Sequence, residues 1–387
     1  MSTIHLPTQQ GNIAEYRLIN AEPRTVSLTP AFNRIAYAAA HVVIDPLHQG
    51  ADWLSNPRID WDSTLAYRHH LWSLGFHIAE AMDTAQRGMG VSWDIAGELI
   101  VRSLKEAKSV PGASLAAGVG TDQLEAAHAT SLDQVIAAYE EQMTLVQKHD
   151  GKIILMASRA LARVAKAPRE YIAVYNRLLE QSQEKVILHW LGEMFDPMLA
   201  GYWGTTDFAA AADTVLEVIA NNVDKVEGIK ISLLSKEKEV ALRRRLPPQV
   251  KMFTGDDFNY PELIAGEDGD YSHALLGIFD AIAPAAAPAL NALARGDREE
   301  YDRLMNPTVP LSREIFKAPT QYYKAGIVFL AWLNGHQPHF AMAGGMQSAR
   351  EISHYAEIFR LADQAGLLRN PALAIQRMKS LLSLYGL

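Results

Sequence analysis

The chain has 387 residues, of which 49 % are hydrophobic and 21 % charged; its net charge is −8 and it has no cysteine. That balance supplies a large apolar core, while the missing thiols exclude disulfides, thiolate metal sites and cysteine nucleophiles. The acidic excess, with no basic stripe in any segment, argues against a nucleic-acid partner.

The first residues, Met1-Ser2-Thr3-Ile4-His5-Leu6-Pro7, lack a basic patch followed by an apolar stretch, so no signal peptide is expected. Residues 1–33 show no clear periodicity and read as an N-terminal extension. Short apolar strand candidates then follow at 34–44, 76–82, 114–119, 152–157, 185–190, 228–232, 250–254 and 273–279. Helical patterns lie between them. Residues 93–107 place Ile95, Leu99, Ile100 and Leu104 on one face, and 132–148 and 168–182 are similarly amphipathic. Strands alternating with helices imply a parallel sheet, and eight candidates are the number a closed barrel needs.

The most apolar long region, residues 274–294, is interrupted by Asp280, Pro284 and Pro288, so no membrane span is expected and the cytoplasm is the expected compartment. Beyond Pro284 the pattern becomes helical, over 289–295, 298–305, 322–334, 350–365 and 370–385. The expected architecture is therefore an α/β fold: a (β/α)8 TIM barrel over 34–295, preceded by the extension and followed by a C-terminal helical region over 296–387. The segment 45–62, rich in Pro, Gly, Asn and Asp, follows the first strand. It either covers the barrel mouth, where Trp53, Asn56 and Arg58 would shape a pocket, or is a surface excursion.

Lys230 is the residue that bears most directly on chemistry. Lys152, Lys185 and Lys251 begin their strands, where a charge is readily solvated, but Lys230 stands near the C-terminal end of its own. In a parallel barrel, catalytic side chains gather at that end. A desolvated lysine loses its proton more readily and becomes a carbonyl nucleophile able to form a Schiff base. The alternative is an ammonium satisfied by a neighbouring carboxylate.

Other strand ends add polar groups. Thr254-Gly255-Asp256-Asp257 follows the seventh strand and suits hydroxyl binding, or simply a turn. Met82-Asp83-Thr84-Ala85-Gln86 follows the second and presents hydroxyl and amide donors, although small polar residues are also ordinary turn formers. His189 closes the fifth and is suited either to moving protons or to a satisfied place in the core. His41, Asp45, His77, Glu80, His189, Glu193 and His273 fall at or near strands, but no pair has a tight ligand spacing, so no metal site is expected. Gly118-Val119-Gly120 lacks the rest of a phosphate-loop fingerprint, and no cofactor is expected.

Taken together, Glu227-Gly228-Ile229-Lys230-Ile231-Ser232, Phe253-Thr254-Gly255-Asp256-Asp257 and Ala265-Gly266-Glu267-Asp268-Gly269 resemble, in order and spacing, motifs of the dihydrodipicolinate synthase / N-acetylneuraminate lyase superfamily. Ala117-Gly118-Val119-Gly120 resembles the third-strand motif, and the stretch from Gly296 through Phe316 to Lys324 and Gly335 resembles the C-terminal helices. The resemblance spans roughly residues 34–370 and implies a class I aldolase with Lys230 as the Schiff-base lysine and, commonly, a homo-oligomer.

Two departures bear on the substrate. Where the family has GTTGE to hold a 2-oxo acid carboxylate, this chain has Met82-Asp83-Thr84-Ala85-Gln86, and Asp83 repels a carboxylate at close range. Where the family has the tyrosine of YNVPGRT, His189 stands, and no arginine follows it. The resemblance so amended implies His189 as proton shuttle, with Asp83, Thr84, Gln86, Gly255 and Asp256 binding a small carbonyl substrate. That substrate is a polyhydroxylated keto-sugar or keto-acid derivative, not pyruvate plus aspartate semialdehyde. A metal-dependent sugar isomerase or epimerase on the same barrel, and a non-catalytic metabolite-binding barrel, remain as alternatives.

Overall fold

The computed structural model describes residues 3–20, 22, 26, 28–47, 52–54 and 56–387. Ten strands are present: β1 (Thr3–Pro7), β2 (Ile13–Arg17), β3 (Ala36–Ala39), β4 (His77–Glu80), β5 (Leu115–Val119), β6 (Lys152–Leu155), β7 (Val186–Leu191), β8 (Val226–Ser232), β9 (Lys251–Thr254) and β10 (His273–Leu276). Strands β3 to β10 close into a parallel barrel in sequence order, with β10 beside β3. This is a (β/α)8 barrel, and all eight strands fall within or beside the segments that the apolar runs mark.

Inside the barrel, Tyr37, Ala39, Ala79, Met82, Ala116, Ile154, Ile187, Phe253 and Leu275 form their own cluster. The bulky rings of Tyr37 and Phe253 meet at 6.0 Å, and three alanines share the cluster with them. A much larger shell packs the strands' outer faces against the helices. Such a filled interior rules out a through-pore and leaves the C-terminal strand ends as the place for a site.

Two expectations change. The eighth strand stops at Leu276, and residues 278–279 instead begin the helix Ile278–Ala294, which runs unbroken through Pro284 and Pro288. An interior proline costs a helix about 3 kcal/mol. Burial of Ile278, Phe279, Ile282, Ala283, Ala286, Ala287, Ala289 and Leu290 outweighs that local preference.

Within the N-terminal extension, residues 3–17 form an antiparallel β1–β2 hairpin. Its anchor lies at the far end of the chain. The buried Asp363 carboxylate accepts from the Tyr16 hydroxyl at 2.8 Å and from the backbone N–H groups of Ile19 at 2.7 Å and Asn20 at 3.2 Å. Five-residue strands whose anchor is some 340 residues away leave no local signal. Among the described residues no helix is long and apolar enough to cross a membrane.

Candidate active site

Lys230 lies in β8 with His189 of β7 and Phe253 of β9 as its cross-strand neighbours. Its side chain reaches a small cavity at the C-terminal end of the barrel, walled by Asp83, Thr84, Leu191, Phe195, Ser232, Asp257, Gly277 and Tyr323 among others. The residue is 7 % exposed, and among the described residues no hydrogen bond or ion pair holds its ammonium. Burial lowers its pKa from the ordinary lysine value, against the opposing pull of Asp257 and Asp83. An amine so placed is available as a nucleophile.

The glycines around it have steric reasons. A side chain at Gly255 would meet Ser232 Oγ at 2.2 Å and Lys230 Cε at 2.8 Å, and one at Gly228 would meet the Lys251 carbonyl at 2.5 Å. Gly255 therefore lets the loop after β9 press against the lysine stem. It does not itself line the cavity.

The two aspartates that follow divide their roles. Asp256 accepts from the N–H groups of Phe258 at 2.9 Å and Asn259 at 3.0 Å, and from Asn259 Nδ2 at 2.8 Å, so its carboxylate is committed to the turn. Asp257 is the one that lines the cavity, with one oxygen accepting from Ile278 N–H at 2.9 Å. Burial pushes its carboxyl up to about 7, although Ile278 N–H and Lys230 pull the other way. Behind this turn Glu239 accepts from Thr254 Oγ1 at 2.8 Å and Ser272 Oγ at 2.6 Å, and burial pushes its carboxyl up to about 8.

The loop after β4 is held by left-handed backbone at Ala81 (φ 53°) and Gln86 (φ 60°), an uncommon conformation for residues with a Cβ. Thr84 is buried and its Oγ1 lies 2.8 Å from the Tyr323 hydroxyl. Tyr323 comes from the C-terminal helix Tyr323–Leu333 and stacks on Phe316 with ring centroids 4.3 Å apart. Burial, then the charge of Asp83, raises its pKa well above the ordinary value, so it is a neutral hydroxyl at the cavity wall. Asp83 lines both the cavity and the wider mouth. Gln86 does not reach either; its Nε2 donates to the Ala343 carbonyl at 2.9 Å and ties the loop to the C-terminal region. Beside Asp83, buried Lys324 donates to the Gln321 carbonyl at 2.9 Å, and burial lowers it to about 8.

The mouth is a separate pocket of about 390 Å³ that shares Asp83 and Leu191 with the Lys230 cavity, itself of only about 10 Å³. His189 lines the mouth, and its Nε2 lies 3.2 Å from Ser232 Oγ, a residue of the inner cavity. Its Nδ1 is buried without a partner. Burial, then Lys230, lowers the imidazole pKa well below the usual value, so the ring is neutral and one nitrogen is free to accept a proton.

One wall of the mouth is closed by Arg87. Its Nε bonds both Asp122 oxygens at 3.1 and 3.0 Å, Nη1 bonds the Gly118 carbonyl at 2.5 Å, and Nη2 bonds Asp122 Oδ1 at 2.6 Å and Gln142 Oε1. Burial pushes the Asp122 carboxyl up, but Arg87 and Gln142 together hold it below its ordinary value.

The histidines and acids marked along the strands do not converge. His77 and His273 begin their strands, at the opposite end of the barrel from Lys230. His41 Nδ1 lies 2.7 Å from Asp280, and Glu80 takes a two-point bond from Arg68 at 2.9 and 2.8 Å. Among the described residues no group of three or more His, Asp or Glu is arranged to hold a metal ion. The described residues of the segment after the first barrel strand do not line the site either. Asn56 and Arg58 wall a separate shallow pocket with Trp61 and Ile95, and Trp53 is 45 % exposed; residues 48–51 and 55 lie outside the described residues.

Tyr323 and Asp257 carry no signal that singles them out before folding, though both lie in segments that resemble family motifs. Comparison with solved structures finds the same fold. A prophage protein of E. coli K12 belonging to the dihydrodipicolinic acid synthase family, solved in complex with pyruvate, superposes with a TM-score of 0.66 at 12 % identity over 87 % of this chain and 100 % of that one. Dihydrodipicolinate synthase from Aquifex aeolicus gives 0.64 at 10 % identity over 87 % and 99 %. The enzyme from Oceanobacillus iheyensis gives 0.56 at 14 % identity over 90 % and 97 %. No curated protein matches the sequence. The family described as "Protein of unknown function (DUF993)" matches residues 4–387, so this chain belongs to that family, built on the fold of the dihydrodipicolinate synthases.

Proposed function

We propose that the protein is a Schiff-base lyase or aldolase acting on a polyhydroxylated keto-sugar or keto-acid derivative, not on pyruvate plus aspartate semialdehyde. The observation that carries this reading is the unpaired, desolvated Lys230 amine facing a cavity at the C-terminal end of the barrel. The substrate enters through the mouth. Its carbonyl reaches Lys230 once the shared wall of Asp83 and Leu191 gives way, because the cavity as it stands has room for about one water.

The neutral Lys230 nitrogen adds to the carbonyl carbon, forming the C–N bond as the C=O π bond breaks, and a proton passes from that nitrogen to the oxygen to give the hydroxyl of a neutral carbinolamine. The nitrogen then expels that hydroxyl as water. The proton completing the water comes from Asp257, whose carboxylate remains as counter-ion to the iminium. The iminium is the electron sink for the bond that breaks next. His189 accepts the proton from the substrate hydroxyl whose oxygen becomes a new carbonyl, and the electrons of the broken C–C bond pass into the iminium to give an enamine. Thr84 and Tyr323 orient the carbinolamine oxygen, and Asp83 accepts from substrate hydroxyls.

Borohydride reduction in the presence of candidate ketoses and keto-acids tests this directly. The reduced substrate mass is expected on Lys230 by peptide mass spectrometry, and Lys230→Ala is expected to lose both adduct and turnover. Turnover surviving in Lys230→Ala, and abolished by a chelator, would instead favour metal-dependent isomerase chemistry.

A further inference from the structure

Arg159 is a guanidinium at the mouth that the chemistry above does not use. It stands just after β6, at the start of the helix Arg159–Val164, and lines the same pocket as His189 and Asp83. The two arginines of that pocket differ in what remains of their donors. Arg87 spends every nitrogen on Asp122, Gln142 and backbone carbonyls. Arg159 spends only Nε, on Asp196 Oδ2, and among the described residues neither Nη takes part in a hydrogen bond.

The pairing has a geometric consequence. A carboxylate on Nε fixes the plane of a guanidinium and leaves the outer edge, with both Nη groups, presented as a fork. The Asp196 carboxylate that does this is itself largely buried, while the Arg159 side chain is 43 % exposed and lines the pocket. Its Nη1 is 3.9 Å from where a Cβ on Gly88 would stand, which places it across the mouth against the loop after β4. Lys324 lies close enough to feel the charges of both Arg159 and Asp196, adding positive potential behind the same wall.

We propose that Arg159 is a specificity-determining residue, and that the substrate is a ketone or aldehyde carrying an anionic group, carboxylate or phosphate, at the end remote from its carbonyl. The inference rests on the Schiff-base reading for which end of the substrate lies at Lys230. A pocket of about 390 Å³ is large enough for a small sugar-sized molecule spanning from that cavity to the fork. It also accommodates the altered loop after β4: Asp83 keeps an anion away from the carbonyl end, and Arg159 receives one at the other.

The test has two arms. In the first, wild type, Arg159→Met and Arg159→Lys are reduced with borohydride in the presence of dihydroxyacetone, dihydroxyacetone phosphate or 4-oxopentanoate. Adduct formation at Lys230 is expected at lower concentrations of an anionic ketone than of the neutral one. Arg159→Met should erase that preference, raising the half-saturating concentration about ten- to a hundred-fold for the anionic probe while leaving dihydroxyacetone unchanged, and Arg159→Lys should keep part of it.

The second arm needs no reaction at Lys230. Glycerol, glycerol 3-phosphate and glycerate are titrated calorimetrically into wild type, Arg159→Met and Lys230→Met. Binding of an anionic probe that is lost in Arg159→Met and kept in Lys230→Met supports the proposal, and the tighter of the two anions names the group. Equal binding of neutral and anionic probes, or an anion preference untouched in Arg159→Met, overturns it. If no ketone is trapped while the titration still shows Arg159-dependent anion binding, the Schiff-base reading fails and the anion site stands.

Discussion

Two clusters at the barrel mouth treat their buried polar groups in opposite ways. On the side of β4 to β6, Arg87 is saturated by Asp122, Gln142 and backbone carbonyls. On the side of β7 to β9, among the described residues, the Lys230 amine has no hydrogen bond or ion pair and His189 Nδ1 no partner, and Asp257 is pushed toward its protonated form. A buried polar group left unpaired costs stability, so a fold keeps several together only where something outside the chain is meant to complete them. The Arg87 cluster is a wall, although Asp83 and the Arg159 fork on the same side stay open to the mouth. The open cluster around Lys230 is the one that suits the reacting molecule proposed above.

Substitutions on the two sides should therefore fail differently, in activity on one and in stability on the other. The largest expected effect after loss of Lys230 itself is at Asp257. Asp257→Asn should lower turnover by about a hundred-fold or more, the scale of a lost general acid. Since the Asp257 carboxyl is pushed up to about 7, the protonated donor is present below that pH and lost above it. The rate of adduct formation in wild type should therefore show an inflection near pH 7 that Asp257→Asn lacks; an unchanged profile would remove Asp257 from the chemistry. Tyr323→Phe should cost less, roughly ten-fold in turnover, because it removes one hydroxyl from Thr84 and leaves the ring stack on Phe316 in place.

Arg87→Met probes the other side. It takes the cation from Asp122 and a donor from Gln142 Oε1, and chemical denaturation should report a loss of about 3 kcal/mol. If turnover per folded molecule falls as far as stability does, the contrast between the two sides is lost.

The smallest effect concerns Glu239, behind the active turn. Its carboxyl is raised from the ordinary value to about 8, so between those values the folded protein binds a proton that the unfolded chain releases. Its protonated form is therefore favoured at low pH, and stability falls as pH rises toward 8. Glu239→Gln should remove that slope, leaving the melting temperature near the wild-type value at pH 5 and roughly 2 °C above it at pH 8.

How much of the site is legible from residues alone varies with the range of the interaction. The pairing of Lys230 with the Thr254-Gly255-Asp256-Asp257 turn is legible because adjacent strands impose it: any Cβ at position 255 would strike Ser232 Oγ and Lys230 Cε. The choice between Asp256 and Asp257 is not. Neighbouring identical residues look alike until the turn spends one of them on the N–H groups of Phe258 and Asn259. Thr84 lies at the cavity, whereas Gln86, two residues later, points to Ala343 because the left-handed backbone at that position turns it away. Arg159 and Tyr323 sit in unremarkable helical stretches, and only the packing of those helices brings one to the mouth and the other to the Lys230 cavity.

By itself the sequence determined the barrel and its lysine. Apolar runs of strand length between amphipathic helices commit the backbone locally, and the glycine spacing around Lys230 records a contact between adjacent strands. Tertiary structure alone decided which groups surround that lysine and which of them remain free. Whether a donor is spent depends on partners brought from distant segments, as Asp196 holds one edge of Arg159 and leaves the other open.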